Sequence, residues 1–76
     1  MEDEVENVLN NIKRILEESG SKLENVLKMT VILKDSKDWA NMNSVYKKYF
    51  SVEPPARTTF QSDIDAKVEM DATAYV

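Results

Sequence analysis

The residue in this sequence best suited to binding a small anion is Arg57, which follows the pair Pro54-Pro55. Its guanidinium is a rigid fork of donors that matches a carboxylate, which the point charge of a Lys does not. Arg14 is the only other Arg in the chain. Taken alone, Arg57 leaves two interpretations open: a clamp for a substrate carboxylate, or a surface Arg in a solvated ion pair with Glu or Asp.

Two carboxylates and one amide are the other candidates for chemistry. Glu69 and Asp71 are two residues apart, which in a strand places both on one face, and a solvated face is the alternative to a functional one. Asn43 falls within or beside an apolar helical stripe. Burying its amide without partners would cost on the order of 2 kcal/mol. We therefore expect Asn43 to bond to something specific, for which a nearby backbone carbonyl is one choice.

The composition is typical of one small globular domain and excludes several classes of function. The 76 residues are 32% charged and 42% hydrophobic. The formal net charge of −4 argues against nucleic-acid binding, which needs a basic stripe. Without Cys or His, disulfides, thiol chemistry and the usual zinc sites are excluded, and no cofactor is implied. Acid–base chemistry must fall to carboxylates, Tyr, Lys or bound water.

The sequence also predicts where the protein resides. No apolar stretch approaches the length of a membrane span, and the first residues are acidic where a signal peptide is basic. We therefore expect no membrane association and a cytoplasmic protein. A mitochondrial location would require a targeting segment upstream.

Hydrophobic periodicity predicts the order helix, strand, helix, strand, strand. The first helix runs from about Glu2 to Ser19 and ends at Gly20, which can adopt the left-handed conformation. The second helix begins at Asp35 or Ser36, with Ser36 the better cap, and stops before Pro54. The buried stripes of the two helices comprise Val5, Val8, Leu9, Ile12, Ile15 and Leu16, and then Trp39, Met42, Tyr46, Tyr49 and Phe50.

The strands are predicted to form an α+β architecture in which two helices cover one face of a mainly antiparallel sheet. In the first strand, residues 26–33, the apolar face comprises Leu27, Met29, Val31 and Leu33. Residues 57–62 and 67–76 are predicted to pair as a hairpin. The open face of the sheet would carry Glu69, Asp71 and either Arg57 or Thr58, since a shift of one residue in register exchanges the last two.

Several stretches together resemble one protein family. They include Lys34-Asp35, Asn43, Val45-Tyr46, Tyr49-Phe50, the run from Pro54 to Thr59, and the Ser19-Gly20-Ser21 turn. In these features the chain is similar to the reactive-intermediate deaminases, the Rid or YjgF family. The resemblance covers nearly all of residues 1–76, a single domain, but only the C-terminal part of a typical member. Strands that carry further ligand contacts precede this part in the family.

The resemblance implies a chorismate-mutase-like fold, a homotrimer and ligand sites between subunits. It implies hydrolysis of reactive enamines and imines, such as 2-aminoacrylate, to 2-oxo acids and ammonia. By position, Arg57 matches the Arg that holds the substrate carboxylate, and Glu69 matches the acidic residue that orients the attacking water. Asn43 matches an Asn that faces the ligand or an interface. The chain departs from the family in a shorter spacing from Arg57 to Glu69.

Two alternatives to the deaminase hypothesis are left open. The chain could be a non-catalytic module that binds small carboxylates or assembles with other chains, or it could be an inactive fragment. Open sheet edges left by the missing strands would invite pairing with another chain.

Overall fold

The computed structural model describes residues 2–51 and 54–76. The elements occur in the predicted order: α1 (Glu2–Glu18), β1 (Val26–Leu33), α2 (Trp39–Tyr49), β2 (Ala56–Gln61) and β3 (Val68–Ala74). Short 3-10 turns at Leu23–Asn25 and Ser36–Asp38 lead into β1 and α2. The two helices and the three-stranded sheet confirm the α+β class. None of the helices in the described residues is long and apolar enough to span a membrane.

The strand order in the sheet is β2-β1-β3, so β1 lies in the centre. β2 pairs with β1 in parallel and β3 pairs with it in the antiparallel sense. The predicted hairpin between the last two strands is therefore wrong, and the sheet is mixed. The reason is that α2 carries the chain back to the end at which β1 began, so β2 runs parallel to β1. Residues 62–67 then take the chain across to the other edge of β1.

A register irregularity at the start of β1 changes which side chain enters the core. Leu27 was expected on the apolar face, but it is 58% exposed and Val26 is 7% exposed instead. The pairing with β3 shifts between Val26 and Lys28, as at a β-bulge. An extra residue moves the alternation by one position, so the prediction holds only from Met29 onward.

The core lies between the helices and one face of the sheet. Its fully buried members among the described residues are Val5, Leu9, Met29, Val31, Leu33, Met42 and Val45. Tyr49 is half-buried beside this core, and its hydroxyl donates to Asn10 Oδ1 of α1 at 2.9 Å. Two residues of the predicted stripes, Ile15 and Trp39, are exposed instead. Ile15 lies on the flank of the α1 stripe, and Trp39 is the first residue of α2.

The helix ends follow local rules. Gly20 has φ 85°, and Ser21 N–H donates to Leu16 O while Gly20 N–H donates to Glu17 O. These two bonds form a Schellman motif, which confirms Gly20 as the terminator of α1. The predicted cap of the second helix, Ser36, is wrong. The helix α2 begins only at Trp39, after the 3-10 turn, and its N-cap is Asp38, whose side chain makes no capping bond. Asp35 instead caps the 3-10 turn, where its carboxylate accepts from Lys37 N–H at 3.0 Å.

Candidate anion-binding site

Arg57 lies on the face of the sheet that the helices cover. In the parallel ladder it is level with Met29, which is fully buried beneath the helices. Residues at the same level of neighbouring strands share a face, so the Arg57 side chain is directed toward α2. The prediction that Arg57 could lie on the open face with Glu69 is wrong. Thr58, the alternative, occupies the open face.

The guanidinium of Arg57 is held by two side chains of α2. Its Nη1 donates to Asn43 Oδ1 at 2.8 Å, and its Cζ lies 4.7 Å from the centroid of the Tyr46 ring. Arg57 makes no ion pair with the carboxylates of residues 2–51 and 54–76. Within the same residues, Nε and Nη2 have no hydrogen-bond acceptor. The edge formed by Nε and Nη2 has the geometry that binds both oxygens of a carboxylate.

Asn43 has a side-chain partner rather than the backbone carbonyl that was one expectation. Its carbonyl oxygen accepts from Arg57, a residue that lies fourteen positions further along the chain. An amide carries two acceptor sites on oxygen and two donors on nitrogen. In the described part of the chain the Nδ2 donors of Asn43 contact no acceptor. Asn43 can therefore hold Arg57 through oxygen and donate to a ligand through nitrogen.

Tyr46, which was predicted only as a member of the buried stripe of the second helix, also belongs to this site. Its side chain is 4% exposed, and its ring lies 4.8 Å from that of Phe50 at an interplanar angle of 36°. Burial raises the pKa of the Tyr46 hydroxyl, although the charge of Arg57 acts in the opposite direction. The available signal was the spacing of three residues from Asn43, which places both side chains on one face of a helix.

A cleft of about 240 Å³ adjoins these residues. Its described lining comprises Asn43, Tyr46, Lys47, Phe50, Pro54, Pro55 and Arg57. The walls are mainly aromatic and proline rings, and the polar groups come from one Arg, one Lys and one Asn. Apolar walls with a few convergent polar groups are typical of sites for small molecules. The volume suits a small organic anion rather than a nucleotide.

The two carboxylates lie on the opposite face of the sheet. Glu69 is level with Ile32 and Asp71 with Thr30, and both carboxylates are exposed as the alternating pattern predicted. Arg57 and Glu69 are thus on different faces, and β1 separates their strands. A small ligand bound to Arg57 cannot reach Glu69 of the same chain.

Comparison with known proteins identifies relatives of this chain. The family model described as Endoribonuclease L-PSP matches residues 1–76. A RutC family protein of Pyrococcus abyssi is 44% identical over 78 residues, which are 99% of this chain and 61% of the relative. A 2-iminobutanoate/2-iminopropanoate deaminase of Bos taurus is 39% identical over 75 residues, covering 95% of this chain and 55% of the relative.

Solved structures agree with the sequence relatives. The crystal structure of yeast Mmf1 superposes with a TM-score of 0.93 at 38% identity, covering 96% of this chain and 61% of that chain. A crystal structure from Entamoeba histolytica superposes with a TM-score of 0.94 at 33% identity, covering all of this chain and 63% of the other. The chain thus spans less than two thirds of the length of these proteins.

Proposed function

Because the chain belongs to the Endoribonuclease L-PSP family, the Rid or YjgF family that its sequence resembles, we propose that it acts as a deaminase of reactive imines. The substrates would be 2-imino acids and their enamine tautomers, such as 2-aminoacrylate, and the products 2-oxo acids and ammonia. The name of the Bos taurus relative supports this class of reaction. One observation carries the proposal for this chain: a guanidinium held at a small cleft, with one edge that has no acceptor among residues 2–51 and 54–76.

The free edge of Arg57 would bind the substrate carboxylate. Two parallel N–H donors match the two oxygens of a carboxylate, and such charge-assisted pairs are about twice as strong as neutral hydrogen bonds. Asn43 would donate to the same ligand through Nδ2. The side chain of the substrate would then lie against the rings of Phe50 and Pro55.

The reaction needs only a positioned water and a proton acceptor. Water adds through oxygen to the electrophilic carbon of the C=N bond, and Glu69 would take a proton from that water and pass it to the imine nitrogen, which regenerates the carboxylate. The resulting carbinolamine expels ammonia and leaves a C=O bond in its place. Orientation of the imine by Arg57 would supply much of the rate, because bound reactants lose the entropy of encounter.

With Glu69 as the proton acceptor, the proposed site would be shared between two chains. Since Glu69 lies on the face opposite Arg57, the carboxylate that serves a given Arg57 would come from a second copy. The open face around Glu69 also presents apolar surface, including Ile32 and Phe60, and Phe60 is 44% exposed. We therefore propose a homo-oligomer, the homotrimer that the resemblance implies. No nucleic-acid or membrane partner is proposed, and we propose the cytoplasm as the compartment.

Two substitutions test the proposal in an assay that generates 2-aminoacrylate and follows pyruvate release. Arg57→Lys keeps the charge but loses the fork, so binding of 2-oxobutanoate should weaken at least tenfold. Glu69→Gln keeps the shape but removes the proton acceptor, so the rate should fall to the spontaneous background while 2-oxobutanoate still binds.

Arg14→Lys is the matched control for the first variant, because Arg14 is exposed and paired with Glu18 on α1. It should bind and react as the wild type does. Equal affinity of the wild type and Arg57→Lys for 2-oxobutanoate would rule out the clamp. A folded wild type that gives no acceleration would rule out the deaminase.

A further inference from the structure

We propose that Tyr46 is a positioning residue whose ring acts as the platform on which the Arg57 guanidinium lies. The effect of this platform on ligand binding rests on the proposed function, because the platform would orient the edge of Arg57 that binds the carboxylate. Its geometry is independent of that function. The Arg57 Cζ lies 4.7 Å from the ring centroid, within the distance at which a cation is attracted by the face of an aromatic ring.

The platform and the amide constrain the guanidinium in different ways. The bond from Nη1 to Asn43 Oδ1 fixes one corner, but a single bond still allows the plane to rotate about it. The ring face of Tyr46 removes that rotation by favouring one placement of the cation above it. With both contacts in place, the edge formed by Nε and Nη2 has a fixed direction before any ligand binds. A preorganised fork loses less entropy on binding.

The ring rather than the hydroxyl of Tyr46 makes the contact. The hydroxyl is buried and has no hydrogen-bond partner among the described residues. A buried hydroxyl without a partner lowers the stability of the fold. Hydrogen bonding by the hydroxyl therefore does not explain why position 46 is a Tyr. The ring, in contrast, contacts the cation on one side and lies 4.8 Å from Phe50. Phe at position 46 should therefore preserve the platform, and Leu should remove it.

Tyr46 is also part of the core, so a test must separate positioning from packing. The chain has only two Arg residues, so a nitrogen–proton spectrum of Arg side chains contains two Nε–Hε signals. Arg14 is exposed on α1 and serves as the internal reference. Ring currents from Tyr46 should displace the Arg57 signal from the Arg14 signal in the free protein. This readout needs no ligand and no activity.

The variants are Tyr46→Phe, Tyr46→Leu and, as a matched control, Tyr49→Leu, which removes the ring of α2 whose hydroxyl donates to Asn10 of α1. In Tyr46→Phe the Arg57 signal should keep its displaced wild-type position. The affinity for 2-oxobutanoate should match that of the wild type within about twofold. In Tyr46→Leu the signal should move to the Arg14 position and the affinity should fall roughly three- to tenfold. Tyr49→Leu should lower the unfolding midpoint and leave both readouts unchanged.

Each outcome bears on the proposal. Overlap of the two Arg signals in the folded wild type overturns the platform without any variant, so a Tyr46→Leu chain that fails to fold does not remove the test. An unchanged Arg57 signal in a folded Tyr46→Leu protein also overturns it. If the wild type shows the displaced signal but no binding of 2-oxobutanoate, the carboxylate clamp fails and the platform stands.

Discussion

At the scale of single residues, the Tyr46 hydroxyl combines burial with the lack of a partner among the described residues. Leaving a buried hydroxyl unpaired costs on the order of 1–3 kcal/mol, while the ring of the same residue gains from packing. The two contributions can be separated by a substitution that removes only the oxygen.

Tyr46→Phe should therefore keep or raise stability at pH 7. We expect the free energy of unfolding to change by between zero and about +1 kcal/mol, because the unpaired hydroxyl is removed and the ring remains. Urea denaturation followed by far-UV circular dichroism measures this change. A loss of more than about 1 kcal/mol would show that the hydroxyl has a stabilising partner.

The same hydroxyl predicts how stability depends on alkaline pH. Burial raises its pKa in the folded state above the ordinary value near 10, so the folded protein favours the neutral form. The contribution of the neutral Tyr46 hydroxyl to folding stability is fully present below about pH 10. It is lost as the pH rises through the raised folded-state pKa. Wild type should lose stability over this range more steeply than Tyr46→Phe. Tyr49→Phe, which keeps Tyr46, should decline as the wild type does.

At the scale of the elements, the end of α1 depends on the conformation of one residue. Gly20 has φ 85°, and no atom outside its neighbours lies within 4 Å of the position that a Cβ would take. A side chain at Gly20 would therefore meet a conformational cost rather than a steric clash. The Schellman bonds to Leu16 and Glu17 depend on that conformation.

Gly20→Ala should lower the free energy of unfolding by about 1–2 kcal/mol, the cost of a left-handed L-residue. Gly20→Asn should cost less, because Asn tolerates this conformation better. Thermal and urea unfolding of the three proteins would establish the order. Equal stability of the Ala and Gly proteins would contradict the role of Gly20 in ending the helix.

The type and order of the elements could be predicted because they follow from local patterns, such as the stripe through Val5 and Leu9. Which strands lie next to each other could not be predicted, because contacts between residues far apart in the sequence decide the pairing of β2 and β3 with β1. The face of the sheet on which Arg57 lies depends on that pairing, so it could not be predicted either. At the site, Arg57 and Asn43 were identified separately, but their mutual bond joins two elements and leaves no local signal.

At the scale of the whole molecule, the open face of the sheet presents apolar surface to solvent. It exposes Phe60 beside the carboxylates Glu69 and Asp71, opposite the face that the helices cover. The outer edges of β2 and β3 pair with no strand among residues 2–51 and 54–76. Exposed sheet surface and edges of this kind favour association.

We expect the chain not to be a stable monomer at micromolar concentration. Sedimentation equilibrium should give a mass above the 8.7 kDa of one chain, and a trimer would have three times that mass. Phe60→Glu should weaken association because it places a charge on the open face. Ile15→Glu is the control, since Ile15 is exposed on α1 away from that face. A cooperative, folded monomer would contradict the expectation.

A mixing experiment tests the shared site at the same scale. Arg57→Ala and Glu69→Gln chains should each be inactive alone. After the two are unfolded and refolded together, some interfaces should pair an intact Arg57 with an intact Glu69. In a ring with random mixing, about one quarter of the interfaces would regain both residues, so about one quarter of the activity should return. No recovery in mixed oligomers would place both residues in one chain.

The central place of β1 determines when the chain can fold as it is synthesised. β1 leaves the ribosome before either of its neighbours, and its second neighbour, β3, begins only at Val68. Until then the buried side chains of Met29, Val31 and Leu33 have an incomplete surface to pack against. Pairing between segments far apart in sequence is slow, and exposed apolar strands aggregate. A nascent chain stalled after β2 should therefore stay protease-sensitive and bind chaperones, and release of the last strand should make it resistant.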